Sequence, residues 1–350
     1  MIDWPLATRL AGFVAGRPEA RAPQVDLQAL ADQSEQQVVA YTGLLPQTPV
    51  PLAEGIGRAE WIDANVRAMQ RLLDPALEQV GSRLGPAKTA MQLTAGVVLT
   101  AEVGVILGFL SQRVLGQYDL VMLDAAPDDH PPRLLFVLPN LGGAVNAFGA
   151  EEQEFLLWVA LHEVTHAVQF AGVPWLQPHL GGMISELLSS AELRIDASRA
   201  LRLPRTDDLK RLANAVRAGD IVSLVASERE RATLDRMQAT MAVLEGYAEH
   251  VMDAVGAPLL PSLPQLRAAL DARRRSQSAP ARLLQKLLGL EMKMRQYEQG
   301  KRFCDAVVRE GGIEGLNRVW RSPEALPTLR ELDDPSSWLR RTAVPPLLSA

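Results

Sequence analysis

Residues 154–172 form an apolar segment with three polar side chains at its centre, and this combination restricts the fold more than any other part of the chain. The three residues, His162, Glu163 and His166, follow the pattern His-Glu-x-x-His. On an α-helix, histidines four residues apart lie on one face, about one turn apart, so both imidazoles can reach a single metal ion. Because buried polar groups without partners are costly, we favour a metal site here over two hydrogen-bonded core histidines.

Glu163 would lie beside such a metal ion. A carboxylate in that position can accept a proton from a zinc-bound water, whose pKa the metal lowers to roughly 7. The flanking sequence also favours a helix, because the acidic positions 151, 152 and 154 suit its N-terminal dipole and Gly172 with Pro174 provides a stop. The segment therefore predicts a helix that binds Zn²⁺, with Glu163 as the catalytic general base.

The third metal ligand must come from elsewhere, because a catalytic zinc ion usually has three protein ligands and a water. The metzincin pattern needs glycine at 169 and histidine at 172, where this chain has Gln169 and Gly172, so that class is excluded. A glutamate on a later helix is the other common solution. Glu245 and Glu186 are the candidates, and we prefer Glu245 while Glu186 stays open.

The preference for Glu245 depends on its neighbours. Glu245, Glu249 and Asp253 lie at successive i, i+4 positions of an otherwise apolar helix, so they share one face. Such a face is expected to meet cations or histidines, because unpaired buried carboxylates are costly; an exposed acidic stripe is the alternative. We predict that Glu245 binds the metal. Glu249 or Asp253 would accept a hydrogen bond from the far nitrogen of a metal-bound histidine and fix its tautomer.

Two further residues of the same segment are candidates for catalysis. Tyr247 or His250 could stabilise the oxyanion that forms when water attacks a carbonyl group. We predict Tyr247 as a catalytic residue, with simple packing of the tyrosine beside a buried helix as the alternative.

The remaining pattern predicts a mainly α fold with a small β-hairpin, which is an α+β architecture. Prominent helical periodicities cover residues 5–15, 26–41, 58–81, 91–114, 176–200, 223–254 and 282–309, and Pro75 is expected to kink or divide the third of these. The β-prone runs are 118–123 and 134–138, whereas residues 44–57 are expected to be a turn-rich connector and the proline-rich C-terminal tail irregular. The hairpin either offers an edge to an extended peptide or only covers the core.

The chain is long enough for one large domain or two. We divide it into an N-terminal helical region, residues 1–115, and a catalytic region with a helical C-terminal part, residues 116–350. Together they are expected to form one compact unit.

Composition and charge restrict the cell compartment and the kinds of partner that we expect for this protein. A net charge of −5 argues against nucleic acid and anionic membranes, and the single cysteine, Cys304, excludes an internal disulfide and fits a reducing compartment. The N-terminus lacks the features of a signal peptide, so we expect a cytoplasmic protein. Residues 93–110 are apolar enough to consider a membrane span, but Glu102 lies near their middle. We predict a buried helix in which Gly104 and Gly108 allow a neighbour to approach closely.

Several short motifs recur in one known group of proteins: RAEWIDAN (58–65), VLGQYD (114–119), VLPN (137–140), HEVTH (162–166) followed by PWL (174–176), LEG (244–246) and GLEMKMRQY (289–297). With these motifs the chain resembles an uncharacterised group of zincin-like, zinc-dependent metallopeptidases that is associated by name with the biosynthesis of a deazaflavin coenzyme. The resemblance implies a largely helical zincin-like fold, with zinc bound by His162, His166 and Glu245 and with Glu163 as general base. It implies no substrate.

The sequence thus predicts a zinc-dependent hydrolase, in the first place a metallopeptidase, that acts on a peptide or a small amide. One alternative is a small-molecule amidase with the same residues. A closed pocket, in place of an open groove beside residues 134–138, would favour this alternative. The other is a scaffold with weak or no turnover that binds a peptide or a partner, and a site blocked by Tyr247 or by the C-terminal tail would favour it. The oligomeric state stays open.

Overall fold

A small sheet lies between two groups of helices in the computed structural model, which describes residues 2–17, 21–83, 89–119, 131–194, 227–275 and 290–343. Its elements are, in chain order, α1 (Trp4–Ala15), α2 (Leu27–Thr42), β1 (Ala53–Ile56), α3 (Arg58–Arg83), α4 (Thr89–Ser111), β2 (Gly116–Asp119), β3 (Arg133–Val137), α5 (Leu138–Phe148), α6 (Glu152–Gly172), α7 (Leu176–Arg194), α8 (Glu228–Leu259), α9 (Leu263–Arg275), α10 (Leu290–Leu316), two 3₁₀ helices (Asn317–Trp320 and Pro323–Ala325), α11 (Leu329–Asp333) and α12 (Pro335–Thr342). The prediction of a mainly α fold with a small sheet is confirmed.

The sheet has three strands in the order β1-β3-β2, and β3 is its middle strand. β3 runs parallel to β1 and antiparallel to β2. Because side chains alternate along a strand, Leu134 and Phe136 join one hydrophobic core, while Leu135 and Val137 join another. The first core is shared with α2, α6, α8 and α10, and the second with α1, α3 and α4. β3 is therefore buried on both faces.

The predicted hairpin is confirmed for β2 and β3, although residues 120–123 of its first strand lie outside the described residues. The expectation that residues 44–57 form only a connector is wrong, because Ala53–Ile56 pairs with β3. This strand has little β propensity of its own and is stabilised by its partner, including an ion pair between Arg133 and Glu54. Consequently the second predicted run is not an edge strand, and among the described strands β1 and β2 form the two edges of the sheet.

The structure tests two expectations about prolines. Helix α3 continues through Pro75, so it is not divided there, and a kink at Pro75 stays a prediction. The C-terminal tail is largely helical over residues 323–342, because Pro323 and Pro335 occupy first-turn positions of helices, where a missing N–H costs nothing. Trp338 of α12 is fully buried against Phe303, and its indole N–H donates to the carbonyl of Ala325 at 2.7 Å.

Helices α1 and α4 pack closely, as the glycine spacing predicted, but the expectation of a buried helix is wrong for one side of α4, where Val97 and Val98 are exposed. A Cβ atom on Gly104 would lie 2.8 Å from the carbonyl oxygen of Ala7, and one on Gly108 would lie 2.6 Å from that of Ala11. No helix within the described ranges combines the length and the apolar character that a membrane span needs.

The division at residue 115 stays a prediction. The strands β1 and β3 come from opposite sides of that position and pair with each other.

Helices α8 and α10 cross at a pair of glycines, and this crossing supports the helix that carries Glu245. A Cβ atom on Gly300 would lie 1.8 Å from the carbonyl oxygen of Ala242, and one on Gly246 would lie 2.2 Å from the carbonyl carbon of Gly300. Both neighbours are backbone atoms and cannot move aside independently of their helices. Only glycine therefore fits at these two positions.

We predict that Gly300→Ala lowers the free energy of unfolding by at least about 1–3 kcal/mol, because the added methyl group forces the two backbones apart. The matched control is Gly182→Ala in α7, where a Cβ atom would meet nothing within 4 Å. The control should be neutral or stabilising by roughly 0.5–1 kcal/mol, because alanine is the better helix former. Chemical denaturation of both variants measures the difference, and equal stability would contradict the close crossing.

Candidate metal centre

Helix α6 is anchored at its N-terminus and buried along most of its length. The side chain of Glu151 caps its N-terminus by accepting the N–H of Glu154 at 2.7 Å. The carboxylate of Glu154 in turn accepts the backbone N–H of Ser262, in the turn after α8, at 2.8 Å. Apolar residues from Phe155 to Leu161 lie in the first core. The polar residues in the middle of α6 are thus fixed against α8.

The structure brings His162, His166 and Glu245 together between α6 and α8. The Nε2 atoms of the two histidines are 3.3 Å apart, and each is 3.6 Å from Oε2 of Glu245. Among the described residues these three form a group whose ligand atoms all lie within 4.8 Å of one another. All three side chains are partly exposed, so the group can be reached from solvent.

This arrangement fits a zinc ion. Tetrahedral zinc with bond lengths of roughly 2.0–2.2 Å to nitrogen and oxygen requires its ligand atoms to lie about 3.3–3.6 Å apart. Two imidazole nitrogens and one carboxylate oxygen also form a donor set that catalytic zinc sites use, with a fourth position left for water. The residues present could therefore hold Zn²⁺ without rearrangement.

Glu163 lies beside this group, and a glycine of the sheet provides the room for it. A Cβ atom on Gly116 in β2 would lie 2.6 Å from Cγ of Glu163 and 3.0 Å from its Oε1. Burial raises the pKa of Glu163, whereas the two histidines and the backbone N–H of Tyr118 act in the opposite direction. Sequence reasoning did not identify Gly116, because the contact depends on how the sheet docks on α6.

Gln169 orients one of the histidines. Its Oε1 lies 2.9 Å from Nδ1 of His166, and its Nε2 donates to the carbonyl of Leu244 at 3.2 Å. If Nδ1 of His166 is the protonated nitrogen in this contact, its Nε2 keeps a lone pair for a metal. The amide also connects α6 to the residue that precedes Glu245. This role was missed, although the i, i+3 spacing on α6 would have suggested it.

Comparison with known proteins decides the family. The model of the zincin-like metallopeptidase family matches residues 2–339. The chain belongs to this family. A crystal structure described as a "putative hydrolase with a novel fold", from Chloroflexus aurantiacus, is 32% identical with a TM-score of 0.69, and the match covers 97% of this chain and 98% of that chain. No curated protein is significantly similar.

The zincin-like fold of the chain is thereby established, and the resemblance seen in its motifs is correct at the level of the family. The association with a deazaflavin coenzyme stays a prediction. The cytoplasmic location and the absence of nucleic-acid and membrane partners stay predictions too.

The structure contradicts a catalytic role for Tyr247. Two residues after Glu245 on a helix, Tyr247 points to the opposite side, since each residue rotates the helix by about 100°. Its side chain is almost completely buried, packs against Trp320 and donates a hydrogen bond to Oδ1 of Asn317 at 2.8 Å. Burial raises its pKa well above the usual range. The tyrosine that lines the cavity of the metal group is Tyr118 in β2.

His250 is also away from the metal group. Its Nε2 is hydrogen-bonded to the hydroxyl of Tyr41 at 2.8 Å and its Nδ1 to Asp305 at 2.7 Å. It connects α2, α8 and α10 and takes no part in the site.

The prediction that Glu249 or Asp253 accepts a hydrogen bond from a metal-bound histidine is wrong, because among the described residues both carboxylates bind an arginine. Arg267 of α9 donates to Asp253 at 2.6 Å and to Glu249 at 3.3 Å. The acidic face of α8 thus has two kinds of partner. Glu245 faces the two histidines, whereas Glu249 and Asp253, one and two turns later, bind Arg267. Gln169 takes the place that was assigned to these carboxylates at His166.

The alternative ligand, Glu186, is engaged elsewhere. Its carboxylate accepts hydrogen bonds from Arg229 at 2.7 Å, from Arg236 at 3.0 Å and from Thr233 at 2.9 Å. It does not line the cavity that contains His162 and His166.

We predict that Glu245→Gln lowers zinc affinity by at least about 10- to 100-fold, because a neutral amide replaces the carboxylate that faces both histidines. Glu186→Gln is the matched control and should bind zinc like the unmodified protein. Competition titration with a zinc-binding dye measures both affinities. Loss of zinc in the Glu186 variant alone would reverse the ligand assignment.

Zinc affinity should depend strongly on pH. Burial lowers the pKa of His166, but the neighbouring Glu245 and Glu163 carboxylates outweigh it and raise this pKa to about 9. The imidazole is therefore protonated in the metal-free protein at neutral pH and must lose its proton to a metal. We expect affinity to rise by at least about tenfold per pH unit up to about pH 9, with a proton released on binding.

Calorimetric zinc titrations in two buffers of different ionisation enthalpy measure the number of protons released. Zinc binding that releases no proton near neutral pH would contradict the ionised pair of His166 and Glu245.

Proposed function

We propose that the protein is a zinc-dependent hydrolase, specifically a peptidase, in which Glu163 acts as the general base. The observation that carries the proposal is the position of Glu163: it lines one cavity together with His162, His166 and Glu245. Membership of the zincin-like metallopeptidase family supports the same chemistry.

When bound, zinc would supply a Lewis acid and a water acidic enough to be deprotonated near neutral pH. The Glu163 carboxylate would accept that proton and later deliver it to the leaving amine nitrogen. A raised pKa suits both steps, because a weakly basic carboxylate accepts protons poorly. Gly116 leaves room for this carboxylate, and Gln169 holds His166 in orientation.

A peptide is favoured over a small amide because no described strand pairs with the outer edge of β2, which lies at the cavity. The N–H of Val137 donates to the carbonyl of Leu115 at 2.9 Å, so these two residues form a hydrogen-bonded pair of the antiparallel strands. Along β2, residues whose backbone groups face β3 then alternate with residues whose backbone groups face away from it. Gly116 and Tyr118 therefore turn their backbone groups away from β3. The N–H of Tyr118 binds the Glu163 carboxylate, which leaves the Tyr118 carbonyl and the Gly116 backbone groups for a peptide. Within the described ranges no strand pairs with that side of β2. An extended peptide could add to this edge beside the metal ligands.

A scaffold without turnover has less support. The two features that would favour it were a site blocked by Tyr247 or by the C-terminal tail. The described lining of the cavity includes neither Tyr247 nor any residue after Glu245. The small-molecule amidase shares every catalytic residue and differs from the peptidase in its substrate, and the outer edge of β2 is the feature that favours a peptide.

We predict that Glu163→Gln keeps zinc but lowers kcat/KM by about 10²–10⁴-fold on any peptide that the unmodified protein cleaves, because the base is lost while the ligands remain. A library of internally quenched peptides, incubated with zinc-loaded protein, is the assay. The matched control, Glu186→Gln, removes a carboxylate outside the cavity and should cleave normally.

Gly116→Ala tests the same role without touching a charged group, because the new methyl group would displace the Glu163 side chain. It should retain zinc and lose most of the activity. Full activity of Glu163→Gln, with zinc bound, would exclude the general base. Cleavage of small amides but of no peptide in the library would favour the amidase.

A further inference from the structure

The cavity that contains the metal group has one polar end and one apolar end. Its volume is about 360 Å³, at the lower limit of the roughly 300–1,000 Å³ of ligand pockets. The polar end holds His162, Glu163, His166 and Glu245. The remaining described lining is dominated by apolar and aromatic side chains: Tyr118, Phe170, Leu180, Met241 and Leu244.

The apolar end results from the way α6 and α8 continue past the ligands. The two helices are antiparallel, because the start of α6 contacts the end of α8 at Ser262, and its last turn contacts Leu244. Phe170 lies one turn beyond His166 on α6, and Met241 lies one turn before Glu245 on α8. Both side chains therefore extend the ligand-bearing faces toward the same end of the cavity.

Two further elements complete this end. Tyr118 of β2 stacks on Phe170, with ring centroids 5.6 Å apart and an angle of 24° between the rings. Leu180 of α7 is almost fully buried and lies in the same lining. Phe170 and Met241 are only partly buried, so they present apolar surface to the cavity. Four different elements thus contribute to one apolar wall.

We propose that this wall, made by Tyr118, Phe170, Leu180 and Met241, is a subsite for an uncharged, apolar side chain of the substrate, next to the bond that is hydrolysed. The inference rests on the proposed function and names its substrate class: peptides with an aliphatic or aromatic residue at the cleaved bond. Among the described lining residues, every acidic or basic side chain belongs to the metal group or is Glu163. A charged substrate side chain placed at the apolar end would lose its water and find no partner there.

The first test measures binding to zinc-loaded protein and needs no known substrate. The probes are acetohydroxamate, N-acetyl-leucine hydroxamate and N-acetyl-lysine hydroxamate, which share the metal-binding group and differ in the side chain. Calorimetry should show the leucine compound binding at least about tenfold tighter than the lysine compound, since even one methylene in an apolar pocket is worth about 10- to 200-fold.

Met241 is the residue to change, because it lines the apolar end and is not a ligand. Met241→Ala should weaken the leucine compound by about tenfold or more and leave acetohydroxamate unchanged. Met241→Glu should reduce or reverse the preference for leucine over lysine, because it places a carboxylate in the subsite. Met237→Glu is the matched control: the same substitution one turn away, at a residue outside the cavity lining, should keep the preference. Zinc content is measured in each variant.

Equal binding of the leucine and lysine compounds, or a preference that survives both Met241 substitutions in zinc-loaded protein, would overturn the subsite. Failure of all three hydroxamates to bind the zinc-loaded protein would overturn it together with the proposed hydrolase, because the metal would then not be open to a ligand. The two proposals are separable: a leucine preference without cleavage of any peptide rejects the peptidase and keeps the subsite, while cleavage without side-chain preference rejects the subsite alone.

Discussion

The structure depends on a contact between polar groups in the interior, where helices α6 and α8 face each other. The two histidines of α6 and Glu245 of α8 meet at separations of 3.3 and 3.6 Å, at the wall of a cavity between two largely buried helices. Like-charged or unpaired groups would be unstable there, so the three side chains need one another or a metal ion. Gln169 fixes this contact by binding His166 and the α8 backbone at once.

The sheet serves the same site from the other side. β3 is buried on both faces and holds β2 beside α6. The residue of β2 that contacts Glu163 is Gly116, and a side chain at this position would collide with the glutamate. The glycine contact between α8 and α10 has a comparable effect on Glu245, because it allows the backbone of α8 to pack directly on α10. Close backbone approach at Gly116, Gly246 and Gly300 thus positions two of the four functional side chains.

The features that follow local periodicity could be predicted from the sequence, and those that depend on docking could not. The helix with His162 and His166, and the acidic face with Glu245, follow from i, i+4 spacing alone. The same rule, applied strictly, would have rejected Tyr247, which lies about 200° around the helix from Glu245. By contrast, β1 forms only because β3 is available, and the contacts of Gly116 and Arg267 join segments far apart in the chain.

The central claim is that this group of three residues binds zinc, and elemental analysis tests it most directly. Purified protein supplied with zinc is compared with a His162→Ala, His166→Ala double variant, after both are shown to be folded. The account predicts about one zinc per chain in the unmodified protein and none in the variant, since two of three ligands are gone. No zinc in the unmodified protein, or equal zinc in both, would contradict it.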